Sequence, residues 1–206
     1  MMTNYNINRT TLRILALFSS DYGRSRHLRE VAREAGVDVK AVQLQLGRLE
    51  NNNILTSTVR GRNKEYSLRL DNVLARYYLT LAEVFVSVSF LGRNFAAKKV
   101  VEQLLDLLEG VVILFGSFAR EEATEDSDED LLFLGEKPRP VIPWGPVRET
   151  EARIGRAINV KSATKEQFMN WLENGEPFVK EVLGSHIVLK GHDSFCGLVW
   201  RYYAKR

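Results

Sequence analysis

Residues 114–134 read LFGSFAREEATEDSDEDLLFL. An apolar run from Val111 to Phe115 ends in Gly116-Ser117; ten residues follow, and then Asp128 and Asp130 open a second apolar run, Leu131 to Leu134. Short continuous apolar runs of this kind suit strands buried on both faces. Residues i and i+2 of a strand share a face, so the two carboxylates stand on one side. Like charges so placed repel unless a cation lies between them. Hard oxygen ligands suit Mg²⁺ or Mn²⁺, and Mg²⁺ typically takes one or two protein carboxylates and leaves its other positions to water and nucleotide phosphates. Gly116 permits a close backbone turn, and the Ser117 hydroxyl with adjacent amides at a helix start can hold a phosphate. The Walker signature, Gly-Lys-Ser/Thr after a longer loop, is absent.

Working outward, Pro138, Pro140, Pro143 and Pro146 mark a stiff loop after the second run. The pattern then predicts a helix over 147–157, a strand over Ile158-Asn159-Val160-Lys161, a helix over 165–172 and a late strand at Ile187-Val188-Leu189. Upstream, Leu74, Tyr77, Tyr78, Leu81, Phe85 and Val88 recur at three- and four-residue steps, which predicts a helix; Val84, Val86, Val88 and Phe90 alternate in the manner of a strand as well. A second helix, about 95–108, carries Val100, Leu104, Leu105 and Leu108 on one face. This apolar connector can pack two halves together or pair with another copy, giving a homodimer.

The chain of 206 residues is long enough for one large or two small domains, and 45% hydrophobic content suits a chain with a buried core. The single cysteine, Cys196, excludes an internal disulfide framework, and His27, His186 and His192 are too scattered for a zinc site. A reducing, cytoplasmic setting is expected. The N-terminus lacks the design of a signal peptide, and the apolar stretch from Tyr78 to Leu91, interrupted by Glu83, is expected to fall short of a membrane span, so no membrane role is expected. Charge is unevenly divided: residues 1–70 hold 12 Lys and Arg against 6 Asp and Glu, whereas residues 71–206 hold 17 against 20. The basic part comes first, as expected if it meets a polyanion.

Within those seventy residues, Ile14, Leu17 and Phe18 predict one short amphipathic helix and Leu28, Val31, Ala32 and Ala35 a second, ended by Gly36. Asp38 is a suitable N-cap for a third helix with Val42, Leu46 and Leu49 inward, stopped at Asn51-Asn52-Asn53. The runs 54–59 and 65–68 then read as a hairpin with a basic tip, Arg60-Gly61-Arg62-Asn63-Lys64. Arg24 and Arg26, before the second helix, are expected to be solvated loop residues.

Three helices followed by such a hairpin resemble a winged helix-turn-helix, and HLREVAREAGVDVKAVQLQLGRLENNNILTSTVRGRNKEYSL carries the resemblance. It implies double-stranded DNA as a partner. The third helix would lie in the major groove with Lys40, Gln43, Gln45 and Arg48 outward, while Arg60, Arg62 and Lys64 would reach phosphates or the minor groove.

Gly-Ser, ten residues and Asp-x-Asp between apolar strands resemble the minimal nucleotidyltransferases of the DNA polymerase β superfamily, and SATKEQFMNWLENGEPFVKEVLGSHIVLKG resembles the tail of such proteins that carry an N-terminal winged helix. The resemblance implies Ser117 as phosphate anchor, with Gly116 giving it room and Arg120 assisting. It implies Asp128 and Asp130 as catalytic ligands of the Mg²⁺ that carries an NTP. The reaction would be in-line transfer of a nucleoside monophosphate to an acceptor hydroxyl on a protein or RNA. Members of this kind often resemble antitoxins that work with a small helical partner protein.

Three departures from the pattern stand out. The strand expected to bear a third carboxylate offers Asn159 and Lys161; Glu129 occupies a position usually apolar; Glu121 stands where glycine is common. They leave three readings open: a transferase with one Mg²⁺ and an unusual base, a nucleotide-binding sensor without turnover, and a scaffold whose aspartates are strand-end caps; the rival from another class is a transcription factor whose dead transferase domain serves for dimerisation. The expected architecture is α+β or α/β. It comprises a winged helix-turn-helix over 1–70, a helical connector over 71–93 and a nucleotidyltransferase-like mixed sheet flanked by helices over 94–206.

Overall fold

A computed structural model describes residues 7–61, 63–124, 127–136 and 142–205. Contacts divide the chain into two units, one running to Phe85 and including Val199 onward, the other spanning Val86–Leu198.

In the first unit, α1 (Arg9–Ser19) is capped by Asn8, whose side chain accepts from the Thr11 amide. A two-residue strand, β1 (Arg26–His27), precedes α2 (Leu28–Ala35), which ends at Gly36 in the left-handed conformation expected of a C-terminal glycine. The Asp38 carboxylate accepts from the Lys40 and Ala41 amides and so starts α3 (Val39–Asn51). The hairpin follows as β2 (Leu55–Arg60) and β3 (Asn63–Leu68), and β1 pairs antiparallel with the far side of β3 to make a three-stranded sheet. Ile14, Phe18, Val31, Val42, Leu46 and Ile54 are fully buried together with Leu55.

Two expectations fail here, each because a hydrogen-bonding or charged partner draws a polar side chain inward. Gln45, expected to face outward, is buried, and its side-chain carbonyl accepts from the Thr11 hydroxyl at 3.2 Å. Arg26, expected to be solvated, is buried as well. It is ion-paired to Glu30 and Glu34, with its guanidinium 5.9 Å from the Phe18 ring centroid.

The connector forms α4 (Val73–Leu91), a helix and not a strand. Its 19 residues are, by length and composition, enough to cross a membrane, which corrects the expectation drawn from Tyr78–Leu91. Ala75, Tyr78, Leu79, Ala82, Glu83 and Phe90 on this helix are nevertheless buried within protein.

In the second unit, α5 (Phe95–Leu104) runs through a 3-10 turn at 105–107 into β4 (Val111–Phe115), every residue of which is buried. A four-residue helix, α6 (Gly116–Ala119), leads toward β5 (Glu129–Gly135). Then come α7 (Trp144–Ile154), β6 (Ile158–Thr164), α8 (Lys165–Asn174), α9 (Pro177–Gly184), β7 (Ile187–Lys190) and α10 (His192–Tyr203), whose part from Val199 onward belongs to the first unit. The strand order is β6-β5-β4-β7, with β4 antiparallel to both β5 and β7 and β5 parallel to β6, so the sheet is mixed. Val112, Leu114, Leu131 and Phe133 lie in one apolar cluster with Val100 and Leu104 of α5 and Val147 of α7. On the other face, Phe178 of α9 meets Phe115 edge-on at 5.4 Å and Trp171 of α8 at 5.9 Å. The expected mixed sheet flanked by helices is therefore present.

Candidate functional site

Within the quoted stretch, β4, α6 and β5 bring Phe115, Asp128 and Asp130 to one end of the sheet, where Asn159 of β6 joins them. Register pairs Phe115 of β4 with Asp130 of β5, and Asp130 with Asn159 of β6. Phe115, Asp130 and Asn159 therefore project on the same face, with Asp128 beside them. The Asn159 side-chain amide donates to Asp128 Oδ2 at 3.2 Å and to Asp130 Oδ1 at 3.4 Å. One small donor thus satisfies an oxygen from each carboxylate, at the register position opposite Asp130.

Gly116 sits at φ +73°, and a Cβ built there would lie 2.5 Å from Asp130 Oδ2. Both the backbone conformation and the closeness of the carboxylate require glycine. Ser117, the second residue of α6, is partly exposed. Arg120 donates to Glu122 at 2.9 Å and to Glu181 at 3.4 Å, so carboxylates already occupy its guanidinium. Glu121 takes φ +58°, the left-handed region, which accounts for glycine being the common residue at that place in the resembling family.

Glu129 points the other way. The strand is flanked on both sides, by β4 and β6, so it is not an edge; the residue is buried and neither carboxylate oxygen has a hydrogen-bond partner. Burial pushes its carboxyl up to about 7, against a smaller opposing pull from the Arg156 charge. Arg156 itself donates to the carbonyls of Thr124 and Ser127 and lies over the Phe118 ring, 5.3 Å from its centroid.

The oxygens of Asp128 and Asp130 converge on one amide, a donor set that fits a small hard cation. Such a cation, held by these two residues, would neutralise phosphate charge. Among the described residues no group of three or more His, Cys, Asp or Glu is placed to hold a metal. Lys161 is the site neighbour that the sequence reading names only as a residue standing where an acid is expected, without giving it a role. Its ammonium lies 4.5 Å from the Phe178 ring centroid and 5.6 Å from that of Phe115. The signal was present, since Lys161 is two residues from Asn159 on a strand, but the aromatic partners come from distant segments.

In the first unit, Lys40, Gln43 and Arg48 of α3 are exposed, as are Arg60 and Lys64 of the hairpin. Lys64 is tied to Glu50 at 2.7 Å, and Arg60 lies 3.6 Å from Glu65. Arg62 lies outside the described residues. Gln43, Asn63, Lys64 and Tyr66 line a cleft of about 640 Å³ together with Arg29 and Arg33 of α2. Those two arginines were missed, although their i, i+4 spacing on the polar side of α2 marks them.

A mixed sheet with an Asp-x-Asp strand end beside a Gly-Ser turn defines a candidate phosphate and cation site. Residues 97–187, which include that turn, both aspartates, Asn159 and Lys161, match the family model of the nucleotidyltransferase domain. A solved structure titled "Crystal structure of the toxin-antitoxin with AMP-PNP" is similar at 16% identity with a TM-score of 0.38, over 52% of this chain and 84% of that one. At that level the likeness carries no argument about fold or function. No curated protein matches the chain.

Proposed function

We propose that the chain is a DNA-bound regulator whose second unit holds a nucleoside triphosphate with Mg²⁺ or Mn²⁺ at Asp128 and Asp130. The observation that carries this reading is the convergence of the two carboxylates on the Asn159 amide, above a glycine whose positive φ and closeness to Asp130 disfavour a larger residue. The match of residues 97–187 to the nucleotidyltransferase domain supports it. In this reading Gly116 gives room for Asp130, Ser117 offers a hydroxyl to phosphate, Arg120 stands nearby through its two carboxylate partners, and Asn159 orients both aspartates. A divalent cation bound there would supply the charge neutralisation that nucleotidyl transfer requires.

Transfer of a nucleoside monophosphate to a protein or RNA hydroxyl needs a base. The amide of Asn159 cannot accept that proton, which favours a second reading, nucleotide sensing without turnover. In a third, non-enzymatic reading the domain is degenerate and serves dimerisation. Titration of the Mg²⁺ complexes of ATP, GTP, CTP and UTP into wild type and into an Asp128→Asn, Asp130→Asn double variant tests the site. Magnesium-dependent binding that the variant loses is expected; absence of binding by wild type to all four would sink the reading.

The DNA part of the proposal rests on the order of helices and hairpin in the first unit, the basic excess of residues 1–70 and the exposed cations of α2, α3 and the hairpin. We assign 1–70 to a winged helix-turn-helix, 71–93 to a connector and 94–206 to the nucleotidyltransferase-like domain. Lys40, Gln43, Arg48, Arg60, Arg62 and Lys64 would meet DNA, joined by Arg29 and Arg33. Arg48→Glu should weaken binding and flatten its dependence on log salt by about one unit of slope; an unchanged slope would remove α3 from the interface. Action in the cytoplasm, an antitoxin-like pairing with a small helical protein, and a homodimer through α4 belong to the same proposal.

A further inference from the structure

We propose that Lys161 is the phosphate-binding cation of the site, parked on an aromatic shelf until a polyphosphate arrives. The inference rests on the nucleotide reading above and adds to it a residue and a ligand group.

The electrostatics of the site call for a positive group. Two aspartates with one divalent cation are together neutral, whereas a triphosphate chain brings several negative charges that the protein must meet. Arg120 is held by Glu122 and Glu181. Lys161 is different: among the described residues it has no carboxylate within ion-pair distance, and the residue is exposed.

Its place follows from the strand register. Asn159 pairs with Asp130 and Lys161 with Leu132, so Lys161 emerges on the aspartate face, one pleat from the amide that touches both carboxylates. The ring of Phe115, itself paired with Asp130, and the ring of Phe178 flank the ammonium; Trp171 buttresses Phe178 edge-on. Aromatic faces attract a cation without neutralising it, and a cation so held stays available to an anion. A carboxylate partner would have cancelled the charge. An apolar shelf also keeps the long stem from sampling other rotamers, which lowers the ordering cost on binding.

The ligand class is a polyphosphate chain, independent of base. The experiment therefore titrates Mg-tripolyphosphate, with Mg-ATP alongside, into wild type, Lys161→Met and Lys161→Arg, and measures Mn²⁺ affinity separately on each. Loss of one charge-assisted hydrogen bond predicts affinity for Mg-tripolyphosphate lower by roughly tenfold to a hundredfold in Lys161→Met, largely restored in Lys161→Arg, with Mn²⁺ affinity unchanged. Binding by Lys161→Met within twofold of wild type would overturn the inference and leave the nucleotide site standing. Loss of Mn²⁺ affinity in Lys161→Met would overturn it in favour of a structural role. Failure of wild type to bind either polyphosphate or any Mg-NTP would remove the nucleotide reading itself, and this inference with it.

Discussion

Glu129 carries the clearest energetic consequence of any single side chain. Folded, its carboxyl titrates at about 7 where an exposed glutamate titrates at 4.5. Between those values the folded protein keeps a proton that the unfolded chain has released, so it binds more protons than the unfolded state and stability falls as pH rises. The fall should amount to about 3 kcal/mol across pH 4.5–7 and then level off. Denaturant unfolding at pH 5 and pH 8 should show that Glu129→Gln abolishes this part of the pH dependence; parallel curves for variant and wild type would refute the assignment. Glu121, with φ +58°, gives a second test. Glu121→Gly and Glu121→Ala both lose the exposed contact with Arg93, yet the glycine variant should be the more stable of the two by about 1 kcal/mol. Equal stabilities by thermal unfolding would mean that the loop relaxes.

At the scale of elements, the junction of β4 and α6 decides the geometry of the site. β4 delivers a buried apolar strand to Gly116, and the positive φ there turns the chain directly beneath the Asp130 carboxylate. Gly116→Ala should cost about 1–2 kcal/mol from backbone conformation alone. It should also drive Asp130 away from Asn159, so Mn²⁺ affinity should fall at temperatures where the variant is still folded. Retained affinity would show that the carboxylate position is not set by this contact. The hydrophobic period of the chain made both buried strands and α3 readable, because burial on one or both faces leaves a linear trace. It did not reveal that Gln45 lies on the inward side, since that depends on Thr11 being 34 residues away in sequence and within 3.2 Å in space. Short elements were missed for a related reason: β1 has two residues and exists only by pairing with β3.

For the molecule as a whole, net charge is unevenly divided along the chain. The basic excess sits in residues 1–70. Next to it, Leu74, Tyr77, Leu81 and Val84 of α4 are all exposed at alternating three- and four-residue steps. That spacing forms a seam suited to another helix with the same repeat, which a second copy would supply in the proposed homodimer. Sedimentation should show wild type at twice the chain mass and Leu81→Glu at the chain mass. A monomeric wild type would remove the homodimer from the proposal and leave the stripe without an occupant.

By itself the sequence determined the apolar strands around Gly116-Ser117, the shared face of Asp128 and Asp130, the absence of a carboxylate on the following strand and the basic first part. All of these are local, set by residue type and by periods of two or three to four. Only the tertiary structure decided what occupies the vacant place in that site. It set Asn159 across both carboxylates, left Lys161 on two aromatic rings, sealed Glu129 from solvent and turned Gln45 and Arg26 inward. Those outcomes depend on register between strands and on partners far apart in the chain, and a one-dimensional pattern holds no record of either.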